Sequence, residues 1–185
     1  MPEQQPHPPS AFKSRPSTEQ DLEAILEVHR QAFPDEEESQ LVKHILDSGQ
    51  EQVSLVTEAA GKIVGHILFS QVHIRDEEAP KESVDSLEGS GLAPLAVLPS
   101  FQKQGIGAQL IQKGLQACKE KGYGFAAVLG SPDYYGRFGF GPASAHQVRF
   151  TFEVPEKYCM LQELQPGTLT EARGILHYLP IFEAS

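Results

Sequence analysis

The sequence predicts a mixed α/β (α+β) domain, and three observations carry that expectation. The stretch from Gly91 to Lys121 reads as a short apolar strand, a polar turn with two glycines and a long amphipathic helix, and the all-apolar run Gly124 to Gly130 follows it. Strand, helix and strand in that order form a βαβ crossover, so the two strands are expected to be parallel neighbours. Val53 to Glu58 and Lys62 to Ser70 are β-rich runs joined by Ala59-Ala60-Gly61, the pattern of a hairpin. Two helical patterns precede that hairpin, and no internal repeat is visible.

In chain order, the first ten residues, MPEQQPHPPS, hold four prolines and no apolar block, so residues 1–10 are expected to be a flexible tail. Residues 11–185 are expected to form a single domain, a length that buries about two-thirds of the unfolded surface. Ala11 to Arg15 suits a short strand. Ser17 (with Gln20 three residues on) or Thr18 (with Asp21) can cap a helix carrying Leu22, Ile25, Leu26 and Phe33 until Pro34 stops it. Asp35-Glu36-Glu37-Glu38 fits the first turn of a second helix, where carboxylates complement the dipole, and Leu41, Val42, Ile45 and Leu46 supply its apolar face. After the hairpin, Arg75 to Glu88 holds six carboxylates against two cations and reads as a loop or strand extension. Over an active site such a loop would attract a cationic acceptor.

In the long helix Ile106, Leu110, Ile111, Leu115 and Cys118 recur every three to five residues and should face a core. Beyond the second parallel strand, Ser131-Pro132-Asp133 opens a short helix running through Tyr134, Tyr135 and Phe138 to Gly139. Strands are expected near His146 to Phe152 and Met160 to Leu164, with Gly174 to Phe182 packing or lying along the surface.

The net charge of -10 argues against nucleic-acid or acidic-membrane partners, and no apolar run approaches the ~20 residues of a membrane span. A soluble, cytoplasmic protein is expected. Cys118 and Cys159 should be reduced thiols, and neither they nor the seven scattered histidines have metal-site spacing. Against this acidic background, Phe101 to Gly122 holds Lys103, Lys113, Lys119 and Lys121 against Glu120 alone, which favours an anionic ligand at the glycine turn.

Gly105, Gly107 and Ala108 leave the first-turn N–H groups of the helix uncovered, an arrangement that can hold a phosphate. A nucleotide P-loop needs G-x-x-x-x-G-K-[S/T], which does not occur. A dinucleotide fingerprint fails at Leu110, where its third glycine should stand, and at the missing acidic residue on the following strand. What remains is [Q/R]-x-x-G-x-[G/A], met by Gln102-Lys103-Gln104-Gly105-Ile106-Gly107.

The run LAPLAVLPSFQKQGIGAQLI resembles the acetyl-CoA signature of the GNAT N-acetyltransferase superfamily, and YYGRFGF resembles the motif that follows it there. With the preceding helix, helix and hairpin, they look like the YhbS-like branch, over roughly Phe12 to Phe140. The resemblance implies the GNAT acyl-CoA N-acyltransferase fold, with about six to seven strands, about four helices, and a mixed sheet splayed between Leu92 to Val97 and Gly124 to Gly130. It implies acetyl-CoA as co-substrate and no metal. Pro94, lacking an N–H, suits a bulge at the splay. Leu95, Ala96 and Val97 are then expected to offer backbone groups to the pantetheine, and Gln102, Lys103, Gln104, Gly105, Ile106, Gly107 and Ala108 to hold the pyrophosphate.

The implied activity is direct transfer of acetyl to a primary amine of a small molecule or protein, by a monomer or homodimer. A catalytically silent acyl-CoA-binding or regulatory module is the alternative. Tyr135, four residues before Gly139, matches the tyrosine acid of the family. A backbone N–H of Ala96 or Val97 is the simplest oxyanion donor. The strand has no carboxylate to act as base, and Glu58, Asp133 and His146 stand as alternatives.

Overall fold

The computed structural model describes residues 12–82 and 86–183. The expected tail (residues 1–10) and Asp85 of the acidic stretch lie outside the described residues. The chain runs β1 (Lys13–Pro16), α1 (Leu22–Ala32), α2 (Glu37–Asp47), β2 (Gln52–Ala59), β3 (Lys62–Arg75), β4 (Ser86–Val97), α3 (Ile106–Glu120) and β5 (Phe125–Leu129). It continues with α4 (Pro132–Tyr135), β6 (Gly141–Pro142), β7 (Val148–Phe150), β8 (Cys159–Glu163), β9 (Gly174–His177) and α5 (Pro180–Glu183).

Local chemistry accounts for most of these boundaries. Of the two candidate caps, Thr18 forms the capping box, its backbone N–H donating to Asp21 Oδ2 at 2.7 Å. Phe33, forced out of helical conformation before Pro34, ends α1 in extended geometry. Ala60 and Gly61 both adopt positive φ (50° and 77°), the pairing that lets a two-residue turn follow the twist of β2 and β3.

The main sheet path is β1-β2-β3-β4-β5-β8-β6, antiparallel along its length except for the parallel β4–β5 pair expected of the crossover; off that path β7 pairs parallel with β9. Helix α3 covers one face. Its Gly114 brings it onto the Phe69 ring, because a Cβ there would fall 2.3 Å from Phe69 Cε2. Helix α1 covers the other face, where buried His29 Nε2 and His66 Nδ1 lie 2.8 Å apart and His66 Nε2 meets Ser54 Oγ at 2.8 Å. All five apolar positions expected to face inward from α3 are buried.

The sheet carries nine strands among the described residues, more than the six to seven of the expectation. The least legible is β9. Strand β3 overshoots β2, which stops at the Gln52↔Ser70 pair, and β9 takes the vacated edge through His73↔His177, Ile74↔Leu176 and Arg75↔Ile175. Four residues are too few to show a period, so only the free edge explains this strand.

Between β4 and β5 the sheet opens. Pairing covers Ser90↔Ala126, Gly91↔Ala127 and Leu92↔Val128 only, while β4 continues against β3 to Gly65↔Val97. The register along β3 passes from Phe69↔Leu92 to Ile67↔Leu95, so Leu68 faces both Ala93 and Pro94. That is the bulge expected at Pro94, and the Ala93–Pro94 peptide is cis.

The acidic stretch proves to be the far end of the β3–β4 hairpin, about 20 Å along β4 from Leu92. Glu77 pairs with Arg149 at 2.6 Å and Asp76 with Arg173 at 2.7 Å. These carboxylates fasten the hairpin to the C-terminal strands, so the loop gives no ground for a cationic acceptor.

Candidate active site

The site forms where β4 leaves β5 and the chain turns into α3. Leu98 N–H donates to Val64 O at 2.8 Å, which makes Gly65↔Val97 a pair whose own peptide groups point away from each other. By the alternation of an antiparallel ladder, Leu95 and Val97 direct N–H and C=O toward the open side, and Ala96 directs its groups to β3. Ala96 is therefore set apart from the other two expected pantetheine contacts. Its side chain is 3% exposed, across from His66. The Val97 carbonyl accepts from Gln102 Nε2 at 3.0 Å, and the Val97 N–H remains directed into the gap.

Lys103 (φ 62°) and Gly105 (φ 85°) are left-handed, turning the backbone so that successive N–H groups converge. The first bond of α3 runs from Gln109 N–H to Gly105 O at 3.0 Å. The six N–H groups from Lys103 to Ala108 donate to no acceptor among the described residues. Unmade bonds in a row at a helix start form an anion cradle.

A cavity of about 520 Å³ lies in front of this cradle. Leu95 and Val97 line it from β4, and Gln102, Lys103, Gly105, Ile106, Gly107 and Ala108 line it from the turn and α3. Gln104 is outside the lining, its Nε2 donating back to Ser100 O at 3.3 Å. Three lining residues were not among the expected site residues: Phe101, Tyr134 and Arg137. Phe101 also meets Phe12 edge to face at 6.4 Å, tying β1 to the cradle. A Cβ on Gly107 would lie 3.4 Å from the Tyr134 hydroxyl, an ordinary contact distance, which places this glycine directly against Tyr134 at the cradle.

Tyr135, the expected acid, is itself outside the cavity lining: it lies behind Tyr134, edge-on at 5.1 Å, and crosses the end of β5 so closely that a Cβ on Gly130 would sit 2.2 Å from its Cε2. Burial, with a smaller contribution from Tyr134, pushes its phenol up to about 12. Of the alternatives for a base, Glu58 is held by Arg15 at 2.8 Å, and neither Asp133 nor His146 lines the cavity. No lining residue carries a carboxylate or imidazole.

Unbonded N–H groups at a helix start, a lysine beside them and gap-facing peptide groups on β4 together make an anion-binding cavity at the mouth of the opened sheet. Residues 13–143 match the family model described as an acetyltransferase (GNAT) domain. The uncharacterised N-acetyltransferase YhbS of Escherichia coli K12 is 31% identical over 158 residues, covering 85% of this chain and 88% of the relative. The crystal structure of Escherichia coli YhbS in complex with CoA matches with a TM-score of 0.86 at 28% identity, covering 97% of this chain and 96% of that one. A Brucella melitensis GNAT acetyltransferase in complex with acetyl-CoA matches with a TM-score of 0.71 at 28% identity, covering 92% and 97%. The chain belongs to the GNAT acetyltransferase family, whose co-substrate is acetyl-CoA.

Proposed function

We propose that residues 12–183 act as one catalytic unit that transfers acetyl from acetyl-CoA to a primary amine, with Tyr135 as acid and the β4 backbone as oxyanion donor. The observation that carries the reading is the row of six unbonded N–H groups, five of them on residues that line a cavity reaching the open side of β4. Acetyl-CoA supplies the activated thioester. Backbone N–H groups from Lys103 to Ala108, with Lys103 itself, hold its pyrophosphate. Leu95 and Val97 hold the pantetheine, and one of their N–H groups stabilises the oxyanion, a role that Ala96, turned to β3, does not fill.

Tyr135 serves as a hydrogen-bond donor to the departing sulfur. Its phenol at about 12 is a weaker acid than a thiol near ~8.5, so complete transfer is uphill by about 5 kcal/mol (3.5 pKa units at 1.36 each). Stabilisation of the thiolate by the shared proton, followed by protonation from solvent, is the consistent sequence. With no base lining the cavity, the amine must arrive neutral or lose its proton through water. Turnover at subsaturating amine should therefore rise by up to tenfold per pH unit below the amine's own pKa.

The free thiols Cys118 and Cys159, the latter pushed up by burial, suit a reducing cytoplasmic setting. The test combines thermal melting with a thiol-release assay across a panel of primary amines. Acetyl-CoA at millimolar concentration should raise the midpoint and release thiol with at least one amine. Absence of any melting shift would sink the coenzyme reading, and a shift without thiol release on any amine would favour the silent module.

A further inference from the structure

We propose that Arg137 is a second cationic ligand for the coenzyme phosphates, acting from the α4 side of the cavity. This rests on the coenzyme reading above. Arg137 lies on the single turn after α4, lines the cavity, and is exposed. Its guanidinium carbon stands 4.8 Å from the Tyr134 ring centroid and 5.5 Å from that of Phe138. Its Nε donates to Tyr134 O at 3.4 Å. Two aromatic faces and a carbonyl thus restrain the stem, and the terminal NH2 groups are left free to donate.

The charge pattern separates Arg137 from the paired arginines of the chain. Arg15, Arg30, Arg149 and Arg173 each hold at least one carboxylate, and Arg75, also without one among the described residues, is tied to the Lys81 carbonyl away from the cavity. Arg137 holds none among the described residues, although the chain has 25 acidic side chains and a net charge of -10. The cavity lining contains two cations, Lys103 and Arg137, and no carboxylate. An arginine kept clear of carboxylates and pinned at a cavity mouth is arranged for an anion that is not part of the fold.

The two walls divide the recognition. The cradle supplies neutral N–H groups and Lys103, and Arg137 supplies a planar fork able to take two phosphate oxygens at once. Arg137 stacks on Tyr134, which meets Tyr135 edge-on, so a phosphate held by the fork also holds the aromatic pair that carries the acid.

Isothermal titration calorimetry with CoA, 3′-dephospho-CoA and pantetheine tests the assignment on the full chain, its Arg137→Gln and Arg137→Lys variants. Arg137→Gln should bind CoA about tenfold more weakly, with a shallower loss of affinity on adding salt, and bind pantetheine unchanged. Arg137→Lys should recover part of the loss. A deficit that persists with 3′-dephospho-CoA identifies the pyrophosphate as the contact, and one that disappears identifies the 3′-phosphate; either supports the proposal. Unchanged CoA affinity in Arg137→Gln, or an equal loss for pantetheine, overturns it. Failure of the unmodified protein to bind CoA would instead overturn the coenzyme reading and the proposal with it. Melting without ligand should stay within about 2–4 °C for all three proteins, because Arg137 has no ion pair to lose among the described residues and its ring contacts are exposed ones.

Discussion

The corner where β1 meets α1 and the mouth where β4 meets α3 both gather polar groups, and they dispose of them in opposite ways. At the corner, Arg15 donates to both oxygens of Asp21, at 2.7 and 2.9 Å, and to Glu58 at 2.8 Å. The Arg15 hydrogen bonds hold the Asp21 carboxyl down at about 2. At the mouth, unbonded N–H groups of the turn, Lys103 and Arg137 stand at a cavity lined by no carboxylate. A satisfied cluster stabilises the fold, and an unsatisfied one at a cavity is available to a ligand.

That contrast predicts that changes at the mouth alter chemistry and binding without altering melting, and that changes at the corner do the reverse. The largest effect should come from Tyr135→Phe, which should lower turnover by about 100-fold or more while CoA affinity stays within about twofold, measured by thiol release and calorimetry. A full effect in Tyr134→Phe with none in Tyr135→Phe would transfer the acid role to the phenol beside Gly107. Gly107→Val should weaken CoA binding by at least about tenfold, because its branches enter the space already bounded by the Tyr134 hydroxyl. Unaltered affinity would mean that the coenzyme does not pass there.

On the stability side, buried His29 and His66 are both held neutral, His29 at about 4 by desolvation and His66 well below the ordinary histidine range through burial and its neighbour His29. Above the unfolded value near ~6.5 neither state takes up the proton and stability is full. As pH falls toward 4 the unfolded chain is protonated first, and His29 alone should remove up to about 3 kcal/mol. Urea midpoints between pH 7 and 4.5 should show this fall, and His29→Gln should flatten it. The smallest effect is expected at Arg15→Ala, which leaves the mostly buried Asp21 unpaired and should cost about 1–2 kcal/mol. That is a lowering of the melting midpoint by about 3–6 °C. A loss of CoA affinity beyond twofold in this variant would break the separation of corner from mouth.

The parts of the site readable from sequence were those specified by near neighbours along the chain. The βαβ order, the turn glycines and the bulge at Pro94 follow from spacing, positive φ and a missing N–H, all properties of a few consecutive residues. The placement of the acidic stretch was not readable, because the arginines that answer it stand 72 and 97 residues away in the chain.

By itself the sequence determined a helix start stripped of side chains after a strand that cannot pair regularly, and hence an anion site of a recognisable kind. Only the tertiary structure decided which peptide groups of β4 serve it, since that depends on register against β3, and a shift of one residue would exchange Ala96 for Leu95 and Val97. It also decided that Tyr134 and Arg137 close the cavity. Their approach to Gly107 depends on how α4 leaves the end of β5, an orientation set by Tyr135 lying across Gly130 rather than by any local preference of the residues themselves.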